Sequence, residues 1–114
     1  MFYYTIKQHY IDVFNRETIA HFINFIHEEY YKRFGDRFGT SLKGFFTDEP
    51  QFSPKPWSFV FEGEFQKAFG YSLIESLPAL FFEIEGYEKV RYDFNSMVSR
   101  LMCENFYKQI YDWC

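Results

Sequence analysis

The segment Lys43-Gly44-Phe45-Phe46-Thr47-Asp48-Glu49-Pro50 ends an apolar run of strand type in two adjacent carboxylates and a proline. Paired carboxyl groups can donate and accept protons, or hold a hard cation. In α/β enzymes, acids at the carboxyl end of a parallel strand face the active-site mouth, while the strand itself is core. Pro50 cannot continue a central strand, and it biases Glu49 toward an extended backbone. The strand is therefore expected to stop at about Thr47, leaving Asp48 and Glu49 at its rim. Two acids in a turn are also common as plain solvated groups, so the surrounding elements decide between these readings.

Residues 2–10 (FYYTIKQHY) are rich in aromatic and β-branched side chains and read as a first strand, with Asp12 just past its end. Asn15 then offers an N-cap for a helix whose apolar positions, Ile19, Phe22, Ile23, Ile26 and Tyr30, recur at helical spacing until Gly35. Leu42 to Thr47 reads as the second strand. Strand, helix and strand make a βαβ unit, so the strands should be parallel with a right-handed crossover. Parallel strands place their carboxyl ends on one side, which would bring Asp12, Asp48 and Glu49 to one rim, about 5–10 Å apart. The expected fold class is thus α/β and helix-rich, with a βαβ unit followed by helices.

Beyond Pro50 lies a proline-rich loop, Gln51 to Trp57, then a helix expected from about Phe59 to Ala68 and closed by Gly70. Ser72-Leu73-Ile74-Glu75 has the pattern of a capping box, opening a short helix that Pro78 should distort or end. Gly86 precedes a long helix over about Glu88 to Trp113. Its buried face should comprise Val90, Phe94, Met97, Val98, Leu101, Met102, Phe106, Ile110 and Trp113. His9, ending the first strand, is expected in the core. His21 and His27 lie six apart, off the spacing of a helical metal pair, and are expected on the surface. Cys103 and Cys114 fall on one helix about 16 Å apart, too far to bridge, and neither has zinc-type company.

Composition narrows the class. The 114 residues suffice for one domain, and an apolar content of 47% excludes disorder. Seventeen Phe, ten Tyr and two Trp exceed what so small an interior readily holds, so some rings should line a cleft or an interface. The net charge of −4 and the scattered basic residues give no stripe for phosphates, which argues against nucleic acid. No secretory signal pattern opens the chain, and no apolar run approaches the ~20 residues that span a bilayer. A soluble chain of unassigned location, with no membrane partner, is expected.

Several segments together resemble large bacterial glycosidases, the α-L-rhamnosidase-like proteins of glycoside hydrolase family 106 and relatives. They are Tyr10-Ile11-Asp12-Val13-Phe14-Asn15, Glu29-Tyr30-Tyr31, Phe38-Gly39, Gly44 to Gln51, Gly70-Tyr71, Leu77 to Leu80, Val90 to Phe94 and Tyr111 to Cys114. The resemblance covers nearly the whole chain. It implies that residues 1–114 form a single incomplete domain, part of a (β/α)8 catalytic barrel within a far longer polypeptide. It also implies a carbohydrate partner and no organic cofactor, with calcium as an ion the parent proteins could use. Hydrolysis of an O-glycosidic bond needs two carboxyl groups. Glu49 is then the candidate general acid, and Asp48 either supports it or caps the segment that follows. Asp12 either positions substrate or calcium, or caps the first helix. Trp57 either stacks on a sugar ring or packs under the loop. The second catalytic carboxylate would lie beyond residue 114, so the chain alone is expected to be inactive. The competing expectation is a small aromatic-rich interaction module without catalysis. Either way the apolar stripes and unpaired strand edges predict self-association, most simply as a homodimer.

Overall fold

The computed structural model describes residues 1–6 and 8–114. Among the described residues the backbone is helical in four rods. The first contains α1 (Arg16–Phe22), a π turn (Ile23–His27) and α2 (Glu28–Phe34), followed by a 3-10 turn (Gly35–Arg37). Two short helices follow, α3 (Phe61–Phe69) and α4 (Leu73–Phe81). The last rod runs through α5 (Tyr87–Leu101), a second π turn (Met102–Tyr107) and α6 (Lys108–Trp113). Residues 1–6, 8–14 and 39–60 are irregular apart from local turns.

Local chemistry sets the helix ends. Asn15 accepts from the amides of Glu17 and Thr18, which satisfies two of the first turn's free donors. Ser72 accepts from the Glu75 amide at 3.2 Å as the cap of α4. The acid that completes this N-terminus is Glu62 of α3, which accepts from the Ser72 hydroxyl at 2.8 Å and the Ile74 amide at 2.9 Å. Gly70 ends α3 in the left-handed region at φ 80°, which a side chain would resist. Pro78 does not end α4. It forfeits one helical hydrogen bond, but Ala79 and Leu80 beyond it are buried, and the Phe82 amide closes the helix on the Pro78 carbonyl. Packing outweighs the single missing donor.

The core lies where α3, α4 and the last rod meet the start of the first rod. Phe61, Phe65, Ile19, Leu73, Met97 and Leu101 are fully buried within it. All nine positions expected on the buried face of the long helix belong to this core or pack against its edge. Phe61 has ring neighbours from three parts of the chain: Phe14 at 5.0 Å, Trp57 at 6.1 Å and Phe94 at 5.9 Å. The last rod also holds the first through polar contacts. Asn105 donates to the Phe14 carbonyl at 2.7 Å, and Gln109 to the Arg16 carbonyl at 3.2 Å. Arg100 joins α5 to α3 through Glu64 at 3.0 Å.

The α/β expectation fails. Among the described residues there is no strand, no sheet and no βαβ unit; the sole bridge pairs Phe38 with Leu42 inside a tight turn. A strand exists only by hydrogen bonding to another, and the segments read as strands find no such partner. The first is also interrupted, because His9 sits at φ 65° in a turn, and the expectation for Lys7 lies outside the described residues. His9 is exposed and not in the core. With no strands to align them, the parallel pairing and shared rim expected for Asp12 and Glu49 are absent, and so is the partial barrel.

His27 is buried, against the expectation of a surface position. It stands four residues after Ile23 and eight after Ile19, on the same buried stripe. Rings of Phe22, Phe45 and Trp113 surround it at 5.4, 4.9 and 5.0 Å, and its Nδ1 has no hydrogen-bond partner. Burial pushes its pKa below the ordinary 6.5, because the charged imidazolium is poorly solvated there.

Two predictions follow from this packing. Phe61→Ala should cost about 3–5 kcal/mol, since it removes a ring touched from three directions and leaves a cavity. Urea unfolding followed by circular dichroism measures this, with exposed Phe46→Ala changing stability by no more than about 0.5 kcal/mol. The second concerns pH. With its folded pKa below 6.5, His27 binds more protons unfolded than folded. Its stabilising contribution is therefore complete above 6.5 and lost as pH falls from 6.5 toward the folded pKa. His27→Leu should flatten the fall in urea midpoint across that window relative to the unsubstituted chain.

Candidate functional site

The Asp48-Glu49 pair lies on the irregular segment that links the tight turn at Phe38–Leu42 to α3. Both residues are exposed. The Glu49 amide donates to Asp48 Oδ1 at 2.8 Å, and the Thr47 hydroxyl donates to the Asp48 carbonyl at 3.3 Å. Asp48 thus turns the chain locally and supports the backbone on which Glu49 stands. Among the described residues no hydrogen bond or ion pair reaches the Glu49 carboxylate. The segment is anchored by Phe45, whose ring meets Phe38, His27, Tyr30 and Trp113. The next residue, Phe46, is 92% exposed.

Asp12 has a different setting. Its Oδ1 accepts from the Phe14 amide at 3.1 Å, and its Oδ2 accepts from the Ser58 hydroxyl at 2.6 Å. Ser58 is buried and also receives the Val60 amide at 3.3 Å. Asp12 therefore fixes the turn before the first helix and ties it to the entry of α3. Asn15, three residues on, is the helix cap proper. Trp57 is partly buried, edge-on to Phe61. Among the described residues no three acidic, cysteine or histidine side chains gather as a cation would require, so Asp12, Asp48 and Glu49 do not converge.

A polar group that the sequence reading passed over joins Tyr71 to α5. The Tyr71 hydroxyl donates to Asp93 Oδ2 at 2.8 Å, Lys89 pairs with the same oxygen, and the Lys89 ammonium lies 4.6 Å from the centre of the Tyr71 ring. Asp93 is buried. Burial, with the Asp93 carboxylate beside it, holds the Tyr71 phenol well above the usual tyrosine range. Tyr71 therefore stays protonated at neutral pH and acts as a donor. This arrangement clamps the α3–α4 turn to the last rod. Its visible signal in the sequence is the Lys89–Asp93 spacing of four; nothing local points to Tyr71.

Two grooves flank the proline-rich loop. One, of about 200 Å³, is lined by Lys55, Leu80, Arg91, Phe94 and Asn95 under Pro54. The other, of about 440 Å³, runs along the last rod past Phe52, Pro56, Val98, Met102 and Cys103. None of Asp12, Asp48, Glu49 and Trp57 lines either groove. Asp48 and Glu49 are thus exposed, and among the described residues no hydrogen bond or ion pair engages the Glu49 carboxylate.

Over 90 aligned residues, covering 72% of this chain, the sequence is 30% identical to a protein of Formosa agariphila named "Putative beta-glucuronidase". The chain spans 7% of that relative's length. No family model matches the chain. No solved structure matches it. The likeness supports a glycosidase-like relationship; the narrower rhamnosidase resemblance has no counterpart among these matches.

Proposed function

We propose that this chain is a portion of a glycoside hydrolase polypeptide and that Glu49 is the proton donor to the departing glycosidic oxygen. The likeness to a far longer glycosidase-named protein over 72% of the chain is the observation that carries this reading. The sequence resemblance points to the same residue, and the Asp48-Glu49 pair is exposed. Asp48 acts through the backbone, holding the turn from which Glu49 projects. The sugar is either an α-L-rhamnoside, as the sequence resemblance implies, or a β-glucuronide, as the relative's name suggests.

General acid catalysis contributes about 10²–10⁴ in rate, and only when the acid, the sugar and a second carboxyl group are held together. Here Glu49 is exposed, and among the described residues no further acidic side chains gather with it and Asp48. The chain by itself therefore lacks the preorganisation that hydrolysis requires.

Assays with aryl α-L-rhamnosides and aryl β-glucuronides should find no turnover by the 114-residue chain. In a longer polypeptide carrying this segment, Glu49→Gln should lower kcat by about 10²–10⁴ on substrates with poor leaving groups. Substrates with an activated aryl leaving group should suffer far less, because they need little protonation. Equal rates for Glu49→Gln and the unsubstituted polypeptide on both substrate types would remove Glu49 from the reaction.

A further inference from the structure

The groove of about 200 Å³ under Pro54 brings two cations, Lys55 and Arg91, together with the exposed Asn95 amide. Among the described residues neither cation has a carboxylate within ion-pairing distance, although the chain is acidic overall. Glu83 and Glu88 lie near enough to raise the pKa of the Tyr87 phenol, on which Arg91 stacks, yet neither pairs with the guanidinium.

Both cations are held in position by neutral groups. Arg91 Nε donates to the Ala79 carbonyl at 3.1 Å, and its guanidinium carbon sits 4.6 Å from the centre of the Tyr87 ring. Those contacts leave the two terminal amino groups for a bidentate acceptor. Lys55 stands between Pro54 and buried Pro56, and its ammonium lies 4.9 Å from the centre of the Phe81 ring. The Lys55 amide donates to Ser53 Oγ at 3.1 Å. A proline on either side restricts the backbone, so little freedom remains to be lost on binding. Buried Leu80 and Phe94 form an apolar floor. Convergent charged donors above such a floor suit a small ring that bears an anion.

We propose that this groove binds a carboxylate-bearing sugar unit, a uronate, with Arg91 and Lys55 on the carboxylate, Asn95 on a ring hydroxyl and the ring against Leu80 and Phe94. The choice of a sugar rests on the glycoside hydrolase reading. Of the two glycosides considered above, only the glucuronide carries a carboxylate, and a rhamnoside would leave both cations unanswered. The larger groove begins at the same Pro54 and Asn95, so a longer saccharide held at Arg91 can continue along the last rod past Phe52.

Titration of the 114-residue chain with methyl β-D-glucuronide, followed by nuclear magnetic resonance, tests the assignment. The Arg91 Nε–H, Asn95 side-chain and Lys55 amide signals should shift saturably, with a Kd on the order of 1–10 mM. Methyl β-D-glucoside has the same ring without the carboxylate, and acetate has the carboxylate without the ring. Each should bind about tenfold more weakly or worse. Arg91→Gln should weaken glucuronide binding by about tenfold or more. Lys55→Gln should weaken it about threefold or more while leaving the fold intact, because that side chain makes no hydrogen bond among the described residues. Lys67→Gln, exposed on α3, should change nothing. The proposal is overturned if no signal saturates up to about 50 mM, if the glucoside or acetate binds as well as the glucuronide, or if Lys55→Gln binds like the unsubstituted chain. None of these readouts involves a step at Glu49, so a failure of the groove and a failure of Glu49 as proton donor are told apart.

Discussion

Phe61 is the point on which the tertiary structure turns. It opens α3, yet its ring receives Phe14 from the segment before α1, Trp57 from the proline-rich loop and Phe94 from α5. Unlike the Phe45 cluster at the far end of the last rod, this contact is fully buried. Aromatic edge-to-face geometry adds about 0.5–1.5 kcal/mol per pair beyond burial, and it fixes the angles at which these segments meet. The short α3 is only nine residues long, below the length at which isolated helices persist, so its own stability comes from this packing. Around it, hydrogen bonds at the edges set orientation: Asp12 with Ser58, Glu62 with Ser72, Arg100 with Glu64, and Tyr71 with Asp93.

The parts that Phe61 does not organise include the proposed acid pair. Between Phe45, which is held among rings at the far end of the last rod, and Trp57, the chain is unsupported by helix or sheet. Asp48 and Glu49 lie in that interval. A catalytic carboxyl group gains its power from a fixed distance to a substrate, and here the fixed elements stop several residues to either side. The separation explains how one chain can have a well-packed core and still leave Asp48 and Glu49 exposed.

Helices were legible because their rules are local. The 3.6-residue stripe from Val90 to Trp113, the Asn15 and Ser72 caps and the left-handed Gly70 each depend on residues within one or two turns. Strands are not local. Residues 2–10 and 42–47 have the composition of strands, but composition states only that a segment suits an extended, half-buried surface; the pairing partner is a separate fact. His27 was misplaced for a related reason. The spacing of six between His21 and His27 bears on metal binding and not on burial, whereas the register of His27 with buried Ile19 and Ile23 sets its place. At the candidate site, the nature of the Asp48-Glu49 pair and the proline that follows it could be read directly. Its surroundings could not, since distant segments decide them. The Tyr71–Asp93 bond spans 22 positions and leaves no local pattern at Tyr71.

The grip of the last rod on the first is asymmetric. Asn105 and Gln109 supply side-chain donors, but what they hold are the main-chain carbonyls of Phe14 and Arg16. A carbonyl is the same whichever residue bears it. For these bonds, then, the receiving positions are free to drift in sequence, within whatever packing allows at Phe14 and with little restraint at exposed Arg16. The donating positions have no such latitude. A carboxylate at 105, nearly the same shape as the amide, would set an acceptor against an acceptor. Variation across this contact should therefore accumulate on one side only, so paired substitutions across it would be a poor guide to the proximity of the two rods.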